Sequence, residues 1–128
     1  MATTKVLIGK EDEKNKVVFE KPPRTNYIYF GKDEGAAFGA GICHIPPHSS
    51  NERHSHDSED EIMYVLSGQV RFNFPHQEKD HVLSPGEAIY VPKGIVHQLF
   101  NDTDEKASHS WTFTPAGQEV AIRNKYYK

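Results

Sequence analysis

Residues 54–68 read HSHDSEDEIMYVLSG, and the fold is decided by how this stretch is read. Two histidines at i and i+2 in an extended segment point to the same side of a sheet. The imidazoles of His54 and His56 therefore reach one point inside a barrel. The acidic loop 57–60 then turns the chain, and Glu61 opens the next strand, EIMYVL, which closes at Ser67-Gly68. Asp57, Glu59, Asp60 and Glu61 compete as the carboxylate. Strand direction favours Glu61, because it directly precedes the apolar run while the others lie in the loop. Met63 and Val65 share the face of Glu61 and are expected to line a cavity, with Tyr64 turned away into packing.

Downstream, residues 86–101 read GEAIYVPKGIVHQLFN. His97 follows the break Pro92-Lys93-Gly94 at the start of a strand over 96–100. An adjacent antiparallel strand can present it to the first three residues. Three neutral imidazoles and a carboxylate suit Fe, Mn, Ni, Cu, Co or Zn. No thiolate is among them, unlike most closed structural zinc sites. Four protein ligands leave one or two positions open on a five- or six-coordinate cation, as a substrate-binding or catalytic metal requires.

The rest of the chain reads as strand after strand. Residues 26–30 (NYIYF) are aromatic and β-branched and end in the turn Gly31-Lys32-Asp33. Residues 37–45 (AFGAGICHI) stop at Pro46-Pro47, and Gly39 and Gly41 share a face that expects close packing. In 69–74, Val70, Phe72 and Phe74 alternate with polar residues. Short strands follow at 81–83, 88–91 and 108–114, and 120–127 is expected as a strand or a helical turn. No amphipathic helix stands out. Regular turn spacing predicts an all-β sandwich or barrel in one domain. Residues 1–25 are polar and are expected to form an arm with one strand, near 17–20 or 5–8, ahead of a barrel over 26–128.

Two matches then carry a family resemblance. Residues 54–68 are similar to the first cupin motif, HxH, four residues, E, six residues, G. Residues 86–101 are similar to the second: G, five residues, PxG, two residues, H, three residues, N. One position departs: the Gly usual six residues before the first His is His48 here, which puts the shape of that loop in question. The resemblance implies a single-domain cupin-type jelly-roll β-barrel (a double-stranded β-helix), metal ligands from both motifs and frequently a homodimer. Cupins with this ligand set include oxalate decarboxylases, quercetin-type dioxygenases, polyketide cyclases and lyases of sulfonium substrates.

Composition narrows the function classes. The 128 residues carry a formal net charge of −3, so no general basic field is present to hold nucleic acid. No apolar run approaches bilayer length, and no signal-peptide stretch opens the chain. Cys43 is the single cysteine, which excludes an intrachain disulfide and suits a reducing cytoplasm. It reads as a small buried residue rather than a nucleophile.

The remaining polar residues are read in turn. His44 and His48 are expected near the barrel mouth, with His44 as the candidate general base beside Glu61 itself. His76, His81 and His109 are read as unrelated to the metal. Trp111 and Phe113 are core or cavity wall, and Asn101 caps a turn. The expectation is one divalent transition metal on His54, His56, Glu61 and His97, and a small oxygen-rich ligand in the barrel. An enzyme of Lewis-acid type (isomerase, lyase, decarboxylase or cyclase) or dioxygenase type is favoured, with a metabolite-binding or sensor protein as the alternative.

Overall fold

A computed structural model describes residues 2–125. Nine strands follow in chain order: β1 Lys16–Glu20, β2 Pro23–Phe30, β3 Gly39–Ile45, β4 Asp60–Ser67, β5 Val70–Asn73, β6 His81–Leu83, β7 Ala88–Val91, β8 Gln98–Phe100 and β9 Ala107–Thr114. Among the described residues, one α-helix, α1, spans Gln118–Asn124. The strands form two antiparallel sheets, ordered β1-β2-β3-β9-β4-β7 and β6-β5-β8. This is the all-β jelly roll that the turn spacing and the two motifs implied.

Alternation decides which residues enter the space between the sheets. On β4, Glu61, Met63 and Val65 are buried while Ile62, Tyr64 and Leu66 are exposed. On β5, Val70 and Phe72 are buried, and Phe74 follows them in just past the strand end. Leu99 from β8 and Ile28, Met63 and Phe113 from the larger sheet meet them in one core. Burying each such side chain contributes about 1.5–3 kcal/mol.

Gly41 makes room for the Trp111 ring, which any Cβ there would strike together with the carbonyl of Tyr27. Gly68, Gly86 and Gly94 have φ of 70°, 93° and 83°, and they close the turns around β4 and β7.

The strand expected near 17–20 is β1, paired with β2 in the larger sheet, and β2 begins at Pro23, three residues before the strand start read at Asn26. Residues 5–8 form no strand. The described part of 120–127 is helical, too short at seven residues to show a hydrophobic period, and 126–127 lie outside the described residues. Among the described residues, no helix is long and apolar enough to cross a membrane.

Candidate metal centre

His54, His56, Glu61 and His97 converge, with one ligand atom from each lying within 4.8 Å of all the others. Each is positioned by main-chain bonding. The amide of His54 donates to the carbonyl of His97 at 3.0 Å, and that of His97 returns to His54 at 2.8 Å. The Gly94 amide donates to the His56 carbonyl at 2.8 Å, so the Pro92-Lys93-Gly94 turn holds the HxH segment in place. Glu61 enters from β4, opposite Phe113 on β9 and Val91 on β7.

The competing carboxylates are placed elsewhere. Asp57 is exposed, and the Asp60 carboxylate accepts from the Lys93 amide at 2.9 Å. Glu59 is half-buried next to Gly117.

The four side chains are buried, at 8%, 4%, 4% and 0% exposure in chain order. His54 Nδ1 donates to the Glu52 carbonyl at 2.5 Å, and His97 Nδ1 to the Ile95 carbonyl at 2.8 Å. These bonds fix the tautomers and leave Nε2 of each ring as the lone-pair nitrogen. Burial, then repulsion from His97 and His56, pushes the His54 pKa down to about 3. For Glu61, burial pushes upward, but the contacts with His56 and His97 outweigh it and hold the carboxyl at about 2. A neutral imidazole and an ionised carboxylate are the forms that bind metal.

Glu61 Oε1 lies 3.2 Å from His56 Nε2 and 3.4 Å from His97 Nε2. Neither contact has hydrogen-bonding geometry. Among the described residues, the buried side-chain nitrogens and oxygens without a hydrogen-bond partner are His56 Nδ1 and Nε2, Glu61 Oε1 and His97 Nε2. Leaving such atoms unpaired costs about 1–3 kcal/mol each. Two ligands about 2.0–2.2 Å from one cation stand about 3–3.5 Å apart. The residues fit a divalent cation both in donor type and in spacing.

The cluster forms one wall of a narrow cavity of about 30 Å³. That is room for one or two water-sized groups. Arg24 and Asn26 from β2, Cys43 from β3, Trp111 and Phe113 from β9 and Ile122 from α1 complete much of the lining.

His44 is not among them. β3 buries Gly39, Gly41, Cys43 and Ile45, so His44 faces outward, where its ring nitrogens meet Ser108 Oγ at 2.6 Å and Glu11 Oε1 at 2.5 Å. The mouth position expected for His48 is likewise not seen: it is exposed and contacts Asp104. His109, read from the sequence as unrelated to the metal, is not in the four-residue cluster but lines the cavity at 4% exposure. Its alternation with Trp111 and Phe113 along SHSWTFT was the available signal. Cys43 is buried as expected, and burial above all pushes its thiol up to about 12. Asn101 ties its turn together, donating to the carbonyls of Ile45, Pro46 and Glu105.

Comparison with solved structures returns the same fold at low identity. Ectoine synthase from P. lautus matches with a TM-score of 0.76 at 12% identity, covering 90% of this chain and 79% of that one. KdgF from Halomonas sp. matches at 0.72 and 18%, covering 88% and 98%. The polyketide cyclase RemF from Streptomyces resistomycificus matches at 0.64 and 24%, covering 71% of this chain but only 64% of the cyclase. At these identities the likeness shows the fold alone. No curated protein matches the chain. The family model described as the cupin domain matches residues 41–124, which include both motifs and all four converging side chains. The chain belongs to the cupin family.

Proposed function

We propose that this chain is a divalent-metal-dependent enzyme acting on a small oxygen-rich metabolite, with the cation held by His54, His56, Glu61 and His97. One observation carries the reading: the unpartnered buried nitrogens and oxygen of the described residues all belong to this one cluster. A bound divalent cation would supply Lewis-acid polarisation of a carboxylate, carbonyl or hydroxyl oxygen, or redox chemistry with dioxygen.

The chain's own residues do the rest. The carbonyls of Glu52 and Ile95 hold the His54 and His97 rings in the metal-binding tautomer. Phe113 packs edge-on against His56 with ring centroids 4.9 Å apart, and with Met63 and Leu99 it keeps bulk water from the cluster. The fold neighbours named for a cyclase and a synthase agree with an enzyme on this scaffold, although fold alone selects no reaction.

A cytoplasmic location and a homodimer belong to the same proposal. Ile62 and Tyr90 are paired across β4 and β7, and with Tyr64 and Leu66 they offer an exposed apolar row to a second copy of the chain. Sedimentation velocity reads that assembly.

The test of the function is metal analysis of protein purified without added metal, followed by a substrate panel run with and without oxygen. About one metal per chain and turnover of a small oxygenated substrate supports the proposal. A metal-free protein that takes up no added Zn, Mn, Fe, Co, Ni or Cu sinks it. Retained metal with tight metabolite binding and no turnover makes the chain a binding or sensor protein instead.

A further inference from the structure

The three histidines of the cluster are not held alike. His54 Nδ1 donates to the Glu52 carbonyl at 2.5 Å and His97 Nδ1 to the Ile95 carbonyl at 2.8 Å, each two residues back along the chain. Two residues back from His56 is His54, whose carbonyl accepts the His97 amide at 2.8 Å. The bridge that joins the two motifs thus engages the carbonyl that would have fixed this ring. Among the described residues, His56 Nδ1 and Nε2 both lack a hydrogen-bond partner, although the side chain is buried. The main chain of His56 is fixed, since its carbonyl accepts from the Gly94 amide at 2.8 Å. The ring itself is placed by packing, with the His54 and Phe113 rings at centroid distances of 4.7 and 4.9 Å.

A carbonyl that accepts one ring N–H orients an imidazole and makes its other nitrogen a better donor to a cation. Losing such a partner typically lowers metal affinity about 10–100-fold. His54 and His97 have that support and His56 does not, while Glu61 brings the one negative charge of the set. Of the four bonds to a cation, the one from His56 is therefore the weakest. The cavity beside the cluster, of about 30 Å³, has room for one or two water-sized groups. A ligand that offers two oxygens to the same cation needs more space and a further coordination position. An imidazole that gives way supplies both.

We propose that His56 is the exchangeable ligand of the set, and that a small chelating anion with two oxygens takes its place. This rests on the metal-enzyme reading above. In the exchange, the bond from a His56 ring nitrogen to the cation breaks and its electron pair stays on that nitrogen. A bond from a ligand oxygen forms, and no proton, oxidant or reductant is consumed. His54, Glu61 and His97 keep the cation throughout. The Gly94 bond keeps the His56 main chain in place, so only the ring turns, and it returns when the anion leaves.

The experiment is cobalt(II) titration of wild type and of the His54→Ala, His56→Ala and His97→Ala variants, followed by visible absorption. Thermal unfolding in a chelator checks that each variant folds, and His56→Gln stands in if His56→Ala does not. The loss of cobalt affinity in His56→Ala is expected to be at least about 10-fold smaller than in the other two. Oxalate is the probe anion. Added to cobalt-loaded wild type, it should shift the absorption bands to those of His56→Ala with oxalate, since both then lack the His56 bond. Equal losses of affinity in the three variants overturn the assignment. So do wild-type bands that oxalate leaves unchanged, or that stay distinct from those of the variant. Removal of cobalt by oxalate also overturns it, because His54, Glu61 and His97 would then not be holding the cation. A wild type that takes up no cobalt fails at the metal reading first, and cobalt content separates the two failures.

Discussion

His54 and His97 form a two-residue antiparallel bridge, exchanging both main-chain hydrogen bonds and bringing their rings to a centroid separation of 4.4 Å. This bridge ties the HxH segment to the strand that carries the second motif. The two motifs thereby become one site.

The bridge is made by main-chain groups, so replacing either ring removes a candidate ligand nitrogen while the pairing of the two segments is kept. His97→Ala is expected to lower metal affinity by more than the roughly 10–100-fold typical of losing an outer-shell partner. In wild type, adding a divalent cation should raise the melting temperature, because a ligand that binds only the folded state stabilises it. His54→Ala and His97→Ala should show little of that rise. Metal analysis and thermal unfolding check both statements, and full metal content in either variant contradicts the ligand assignment.

The same burial sets a pH dependence in the metal-free protein. Folded His54 resists protonation down to about pH 3, whereas in the unfolded chain it takes a proton near 6.5. The unfolded state then binds more protons, so stability falls as pH drops from about 6.5 towards 3. Glu61, ordinarily near 4.5 and held near 2, adds a loss of the same sign between those values. Thermal unfolding in a chelator should show a steadily falling midpoint from pH 7 to pH 4. A flat profile over that range would count against the buried, neutral state of His54.

The four converging side chains, Glu61 among them, and the strand alternation were legible because each depends on period two and on local turns. EIMYVL and QVRFNF place the same residues inward in the structure as on paper. His44 was not legible, and the inward place of His109 went unread although it shares a face with Trp111 and Phe113. Which face of β3 or β9 looks into the barrel depends on how those strands pair, and HxH-type spacing says nothing about that. Gly39 and Gly41 held the missing clue, since glycines meeting Glu119 and Trp111 mark the inward face of β3 and so turn His44 outward. α1 was legible only as one of two alternatives, a strand or a helical turn over 120–127. Seven residues are held by one buried carboxylate, not by an apolar stripe.

The motif position occupied by His48 gives a third prediction. His48 has φ of 57°, the left-handed backbone that the usual glycine adopts without strain. The loop shape is thus retained despite the substitution. His48→Gly should stabilise the protein by about 0.5–1 kcal/mol, after offsetting the greater freedom of glycine in the unfolded chain. The lost contact with Asp104 is solvent-exposed and offsets little of this. Chemical denaturation with an unchanged m-value would confirm it, and a destabilised variant would refute it.

Buried Glu119 gives the last. One carboxylate oxygen accepts from the Gly117 amide at 2.8 Å and the other from the Lys32 amide at 2.7 Å. Gly31 and Gly39 leave the space it fills, since a Cβ on either would strike the carboxylate. Three residues on, Ile122 reaches the cavity wall. Glu119 is therefore the anchor that sets α1 against the barrel. Glu119→Ala strands two amides and leaves a void, at a cost of about 2–5 kcal/mol. Glu119→Gln keeps the volume but puts an N–H group where an amide hydrogen was accepted, and should cost less. Ile122 lines this narrow cavity, so Ile122→Ala should admit longer carboxylate ligands to the zinc-loaded protein. Metal content should stay unchanged. Competition binding with a homologous series reads this directly, and an unaltered size limit would show that the wall lies elsewhere.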